Sequence, residues 1–417
     1  MKNQLILAQN QYYSMDCYAT QLNNNVLVVG SSGTGKTRSI VSPNILQATD
    51  SYIVTDPKGR LYDQYKDYLI EKGYEVKRLD FTNPKQSEHY NFFRYINDTQ
   101  DILKIAHMLI YQRRNYVNSK DPFWDEAAEL LLQSLIGFLI EARPAHEQNY
   151  HYITRLIDAC EIEEDHAARK NALDHIMEEH EKRYPQSYAA KQYNKFRVAA
   201  SRTLKSILIS LNARIGRYDT PELNEMMSKD DIDIASISKK KTALFVVVSD
   251  TDRSLDGLVN VFFTQAMNEL CRFADRECKN GELPVPVRFI MDDFATNCTI
   301  EDFPRMISSI RSRRISVMLM IQAESQLTEC FGYDGKTIIA NCDTYIYLGG
   351  NDVDTAKEVA VRCDVPLKKI LYMPIGMNYI FRRGQEPVFS KNFVLEDYFE
   401  VVAAEQEKEG DSDDERD

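Results

Sequence analysis

The chain has 417 residues, 43% hydrophobic and 27% charged, with a formal net charge of −12. That length supports two or three domains with a sizeable core, and the composition is that of a soluble globular protein. The acidity argues against a surface that is basic all over, as a nonspecific nucleic-acid coat requires, and leaves room for a basic inner surface.

A polar turn at residues 23–25 leads into an apolar strand, 26–29, and then the loop Gly30-Ser31-Ser32-Gly33-Thr34-Gly35-Lys36-Thr37. This fits G-x-x-x-x-G-K-[ST], the P-loop. Glycines let the backbone curl so that successive N–H groups face a phosphate, and the helix that follows adds its positive end. Lys36 reaches the β- and γ-phosphates of such a ligand, and the Thr37 hydroxyl holds Mg²⁺. Lys36 is expected to be solvent-accessible. The loop residues and the next side chain, Arg38, are therefore candidate ATP contacts. Pro43 ends or kinks the helix.

A second strand, 52–55, ends in Asp56-Pro57-Lys58-Gly59. D-P-x-G is a good turn sequence. In an open parallel sheet ligands also lie beyond the carboxyl ends of strands, so Asp56 and Lys58 are further candidate nucleotide contacts. Helix 61–72 and strand 75–79 continue the alternation. From about 101 to 213 only helical patterns occur, at 102–111, 123–141, 152–159, 167–183 and 189–211. The apolar run 130–140, broken by Gln133 and Ser134, is too short for a membrane span and reads as buried helix.

Strand 242–248 restores the alternation. A long helix to residue 276 follows, with Ser254 and Asp256 as candidate caps. Strand 287–291 ends in Asp292-Asp293, helix 301–312 comes next, and strand 316–321 ends at Gln322. An apolar strand closed by an acid pair suits the metal-holding acid of a P-loop protein. Asp292 is the candidate Mg²⁺ ligand, Asp293 the residue that polarises the attacking water, and Gln322 a sensor of the γ-phosphate. Strand 345–348 and helix 352–361 precede a mixed segment to residue 399. Residues 405–417 carry eight acids against Lys408 and Arg416, a net −6, and read as a disordered acidic tail.

No apolar region follows the first residues, so no signal peptide is expected. Eight cysteines lack C-x-x-C spacing and seven histidines lack ligand spacing. Free thiols in a reducing cytosol and no structural metal are the expectation.

Taken together, NNNVLVVGSSGTGKT, SYIVTDPKGRLYD, HYNFFRYI, DPFWDEAAELLLQSLIGFLI, RFIMDDF and ISSIRSRRISVMLMIQAESQL make the chain resemble the cytosolic part of type IV secretion coupling proteins, the TraG/TraD-type conjugation ATPases. The matching stretches run from about residue 23 to 392. The resemblance implies an α/β, RecA-like P-loop domain interrupted by an all-α domain. The expected division is 1–96 and 218–400 for the nucleotide-binding domain, 97–217 for the all-α insertion and 401–417 for the tail. It also implies ATP and Mg²⁺ as cofactors, hexameric rings at the cytoplasmic face of the inner membrane, and delivery of relaxase-bound single-stranded DNA or protein effectors to a secretion channel. Arg311 falls where the family's arginine finger falls, beside Arg313 and Arg314.

The chain departs from the family in two places. Asp293 stands where the family usually has Glu, one methylene longer. The family usually begins with transmembrane helices; without them, membrane contact is expected through a missing N-terminal segment or a partner. A double-strand DNA pump of the FtsK/HerA kind, and a cargo receptor that binds nucleotide with little hydrolysis, are the alternative readings.

Overall fold

The computed structural model describes residues 4–111, 122–160, 170–296 and 298–400. The acidic tail and the start of the expected 167–183 helix lie outside the described residues. The chain divides into two compact units. One comprises Met1–Arg78, Ile234–Asp250 and Leu270–Asp417, the other Leu79–Asp233 and Thr251–Glu269.

The first unit opens with a hairpin, β1 (Gln4–Ala8) and β2 (Gln11–Ser14), turning at Asn10 with φ 60°. The hairpin is followed by β3 (Val26–Val29), β4 (Ser51–Pro57) and β5 (Glu75–Asp80). After the second unit's chain come β6 (Thr242–Val248), β7 (Val287–Met291), β8 (Ile315–Ile321), β9 (Thr344–Tyr347), β10 (Met377–Arg382) and β11 (Val388–Lys391). The large sheet has the order β11-β10-β9-β3-β8-β7-β4-β6-β5. From β9 to β6 the pairings are parallel, while β10 runs antiparallel to β9 and β11. β3, β6, β7 and β8 are buried at every residue. Strands covered on both faces need near-continuous apolar runs, which is why these segments read as runs and not as alternations. The parallel pairing brings all their carboxyl ends to one edge of the sheet.

Of the helices in this unit, α1 (Ser42–Leu46) and α2 (Arg60–Glu71) position the site. The helix continues past Pro43 to Leu46. The turn before it, Thr37–Val41, widens to π geometry, with the Ser42 N–H donating to Thr37 O. The expected helix 301–312 is only a four-residue helix, Phe303–Met306, and a 3₁₀ turn, Ile310–Arg313. Ser308, Ser309 and Ser312 each donate to the carbonyl three residues back, which competes with a helical ladder, and Arg314 closes the segment at φ 60°.

The second unit is helical: α3 (Thr99–Ile110), α4 (Phe123–Ala142), α5 (Tyr150–Asp158), α6 (Ala172–Arg183), α7 (Tyr188–Arg197), α8 (Ser201–Ile215) and α9 (Pro221–Met226). α3, α7 and α8 pack on α4. α3, α5, α6 and α7 begin at Asp98, Asn149, Asn171 and Ser187, whose side chains cap them. The pattern expected as one helix over 189–211 is two, because the backbone extends at Ala200.

The unit takes in more chain than residues 97–217. Tyr90, Phe92, Phe93 and Tyr95 are buried in it. Gln265, on α10 (Asp256–Glu277), donates to Phe92 O at 2.9 Å and accepts from the Tyr90 hydroxyl, so the start of that helix belongs here.

Candidate functional site

The P-loop leaves the carboxyl end of β3. Gly30 N–H donates to Ile321 O at 3.1 Å, which ties the loop to the end of β8. A Cβ on Gly30 would stand 2.6 Å from Thr34 Oγ1, so the tight turn admits only glycine. Gly33 and Gly35 take φ of 80° and 92°, the left-handed conformation that turns successive N–H groups the same way.

Lys36 does not project into solvent as expected; it is 8% exposed. Its ammonium folds back onto its own loop and donates to Gly30 O at 2.6 Å and Ser31 O at 3.2 Å. Burial lowers its pKa from the ordinary lysine value, against the pull of Asp293 and Asp292.

β7 is separated from β3 by β8 alone, and it delivers Asp292 to the same loop. Thr37 Oγ1 donates to Asp292 Oδ2 at 2.7 Å. Burial pushes the Asp292 carboxyl above the ordinary carboxylate range, while the Thr37 bond pulls the other way. Thr55 Oγ1, near the end of β4, donates to Asp292 O at 3.1 Å and fixes the neighbouring strand against it. Asp293 turns at φ 51°, which places it beyond the strand.

Thr37, Arg38, Asp56, Lys58, Asp292 and Asp293 line one cleft of about 550 Å³. Within it the roles differ. Both Asp56 oxygens are committed to the start of α2, accepting from Leu61 N–H at 3.1 Å and Tyr62 N–H at 2.8 Å. Burial raises its pKa. Lys58, held at φ 80°, pairs with Asp250 at 2.8 Å. Gln322 follows Ile321 at the edge of the P-loop, exposed, its N–H on Gln326 Oε1.

Arg311 is not brought to this cleft. It lies before β8, at the opposite end of a seven-residue strand from Gln322, about 23 Å away along the strand, and donates to Cys17 O at 2.7 Å. Arg313 pairs with Asp275, and Arg314 donates to Leu283 O and Pro284 O.

Other contributors escaped the sequence reading. Asp250, beyond the end of β6, obeys the same strand-end rule that picked out Asp56 and Asp292. Leu395 and Glu396 also line the cleft, with Glu396 paired to Arg38. Asn392 donates to Thr34 O at 3.2 Å. These last residues follow an antiparallel edge strand, and no local signal marks them.

A P-loop strand and an acid-bearing strand with one strand between them is the arrangement of the RecA-like P-loop NTPases. Residues 2–363 match the model of the type IV secretory system conjugative DNA transfer family, and the chain belongs to that family. It is a conjugative coupling protein. It is similar in fold to plasmid coupling protein TrwB in complex with the ATP analogue ADPNP (TM-score 0.62) and with ADP and Mg²⁺ (0.64). Identity is 16% in both cases, over 89% of this chain and 85% of that one. VirB4 of Thermoanaerobacter pseudethanolicus is similar at TM-score 0.55 and 11% identity, over 93% of this chain and 96% of that one. No curated protein matches the chain. Among the described residues, no helix is long and apolar enough to cross a membrane.

Proposed function

We propose that this coupling protein hydrolyses ATP to deliver relaxase-bound single-stranded DNA or protein effectors to a secretion channel. It would work as a ring of subunits, six by family resemblance, at the cytoplasmic face of the inner membrane. The observation that carries the reading is the bond between Thr37 and Asp292 beside Lys36. Two hard oxygen donors 2.7 Å apart, one of them an acid, suit Mg²⁺, and the curled P-loop with its lysine suits a polyphosphate. TrwB, of the same fold, binds ADPNP, and ADP with Mg²⁺.

In this reading Lys36 exchanges two backbone carbonyls for phosphate oxygens. Thr37 and Asp292 would hold Mg²⁺, which would supply positive charge against the phosphates. Asp293, clear of the strand, orients the attacking water and takes its proton, and Gln322 positions the terminal phosphate. Asp56 keeps α2 in place at the cleft wall. Arg311, too far from its own cleft, acts on a neighbouring subunit's.

Steady-state ATPase activity, measured with and without single-stranded DNA over a range of protein concentration, tests this. Turnover that rises with both supports the motor. Tight Mg-nucleotide binding without turnover under any of these conditions overturns it in favour of the cargo receptor, a reading that the shorter Asp293 favours.

A further inference from the structure

Residues 392–399 return from the antiparallel edge of the sheet to the P-loop. They follow β11, and two of them are anchored in the core: Phe393 is 2% exposed and Tyr398 4%. Between these anchors a 3₁₀ turn, Leu395–Asp397, brings Leu395 and Glu396 to the wall of the nucleotide cleft. The chain is clamped on both sides of that pair. Gln9, at the turn of the β1–β2 hairpin, accepts from Val394 N–H at 3.3 Å and donates to Asp397 Oδ2 at 3.3 Å. Asn392 donates to Thr34 O, within the P-loop, at 3.2 Å.

Glu396 accepts from Arg38 through Oε1. The two side chains are 61% and 65% exposed, and an ion pair so placed contributes little to stability. Stability therefore does not account for the clamp. What the clamp does achieve is to fix an exposed carboxylate beside the P-loop. Arg38 follows Thr37 directly. A phosphate chain held by this loop has its metal-bound end at Thr37 and Asp292, on the β8–β7 side of β3. Its α-phosphate and sugar would lie toward β9, β10 and β11, the side from which Leu395 and Glu396 come.

We infer that Leu395 and Glu396 form the nucleoside end of the cleft, with Glu396 accepting hydrogen bonds from the ribose hydroxyls and Leu395 lying against the base. The inference rests on the nucleotide-binding reading above and adds the part of the cleft that tells a ribonucleotide from its deoxy counterpart. A ribose diol offers two O–H donors, and an ionised carboxylate is an acceptor at both oxygens. Arg38, drawn to the α-phosphate, would leave Glu396 to the sugar. The sugar is attached to that phosphate, so one ion pair divides between two neighbouring groups of the ligand.

The test is calorimetric titration of the full chain, with Mg²⁺ present, against ADP and 2′,3′-dideoxy-ADP. The wild type should bind ADP about 3- to 10-fold more tightly, the range for hydrogen bonds to a charged acceptor reduced because this one is more than half exposed. In Glu396→Ala that ratio should fall to about one. The same variant also frees Arg38, but that shifts both ligands alike, so the ratio isolates the sugar. In Arg38→Ala both ligands should bind more weakly, with the preference for ADP kept. Far-UV circular dichroism should be unchanged in both variants, since both side chains are exposed. Equal affinities for the two ligands in the wild type, or a preference that survives Glu396→Ala, overturn the subsite and leave the P-loop reading standing. A wild-type chain that binds neither ligand, or a Lys36→Ala protein that binds ADP as the wild type does, overturns the nucleotide reading itself.

Discussion

Replacing Lys36 with alanine probes the site most directly. The ammonium makes two hydrogen bonds, to Gly30 O and Ser31 O, and must give them up to engage a phosphate. Hydrogen bonds to a charged group contribute about 1.5–3 kcal/mol each. Two such bonds to phosphate, about 3–6 kcal/mol together, less the two surrendered carbonyl bonds to neutral acceptors at about 1 kcal/mol each, leave about 1–4 kcal/mol. At 1.4 kcal/mol per decade, Lys36→Ala should weaken Mg-ATP binding about 5- to 700-fold. The fold should lose little, since removing a buried ammonium also removes its desolvation cost. A stability change within about 1 kcal/mol is expected. Lys36→Met, which keeps the apolar stem, separates packing from charge and should lose affinity equally. Calorimetric titration with a nonhydrolysable ATP analogue and Mg²⁺ reads the binding, and thermal unfolding reads the fold. Affinity within threefold of wild type in a folded Lys36→Ala protein would refute the assignment of this loop.

Asp293→Glu should keep or raise ATPase turnover by restoring the longer reach, whereas Asp293→Ala should lower kcat by about 10²-fold or more; unchanged turnover in Asp293→Ala removes it as the base. Burial raises the Asp292 pKa, so the folded state holds that proton more tightly than the unfolded chain and the carboxyl's contribution to stability declines as pH rises through the raised value. Without Mg²⁺, Asp292→Asn should therefore melt higher than wild type at pH 7, and the gap should close towards acid; a lower melting temperature at pH 7 contradicts the burial argument. Asp250→Asn frees Lys58, so binding of an ATP analogue relative to ADP should tighten a few-fold, and the effect should vanish in a Lys58→Ala background; persistence there shows that Lys58 is not its route. If Arg311 acts in trans, Arg311→Ala and Lys36→Ala proteins, each inactive alone, should recover part of the ATPase activity on mixing, because a finger contributes about 10³–10⁵ in rate. No recovery from proteins shown to co-assemble takes Arg311 out of the site.

How much of this was legible depends on how local the determining physics is. β3, β6 and β7 match the sequence reading residue for residue, because strands buried on both faces must be apolar throughout. The P-loop and Asp292 were legible for a related reason: their chemistry fixes residue type and spacing within one strand–loop–helix unit. The two hairpins were not. β2 and β11 are only partly buried, with mixed residues, and without a covered face they leave no period to read. The 301–312 segment shows local chemistry working against a pattern: apolar spacing suggests a helix, while three serines bond back to the chain and Pro304 stands at its first turn.

The Lys36 ammonium makes the same point inside the site. Spacing identifies the lysine, yet its rest position depends on which carbonyls the folded loop presents, and that is a property of three dimensions. The cleft lining divides along the same line. Asp56 lies at the carboxyl end of a parallel strand, and Asp250, Asp292 and Gln322 follow others, so the rule that ligands lie at or beyond carboxyl ends reaches every one of them, Asp250 included. Glu396 comes after the antiparallel pair β10–β11, whose direction the rule does not cover, and it reaches Arg38 from outside the parallel sheet. Contributions from strand ends can therefore be sought systematically in a sequence of this kind. Those that return from an antiparallel edge need the structure, and they come from the same part of the chain that holds the P-loop through Asn392.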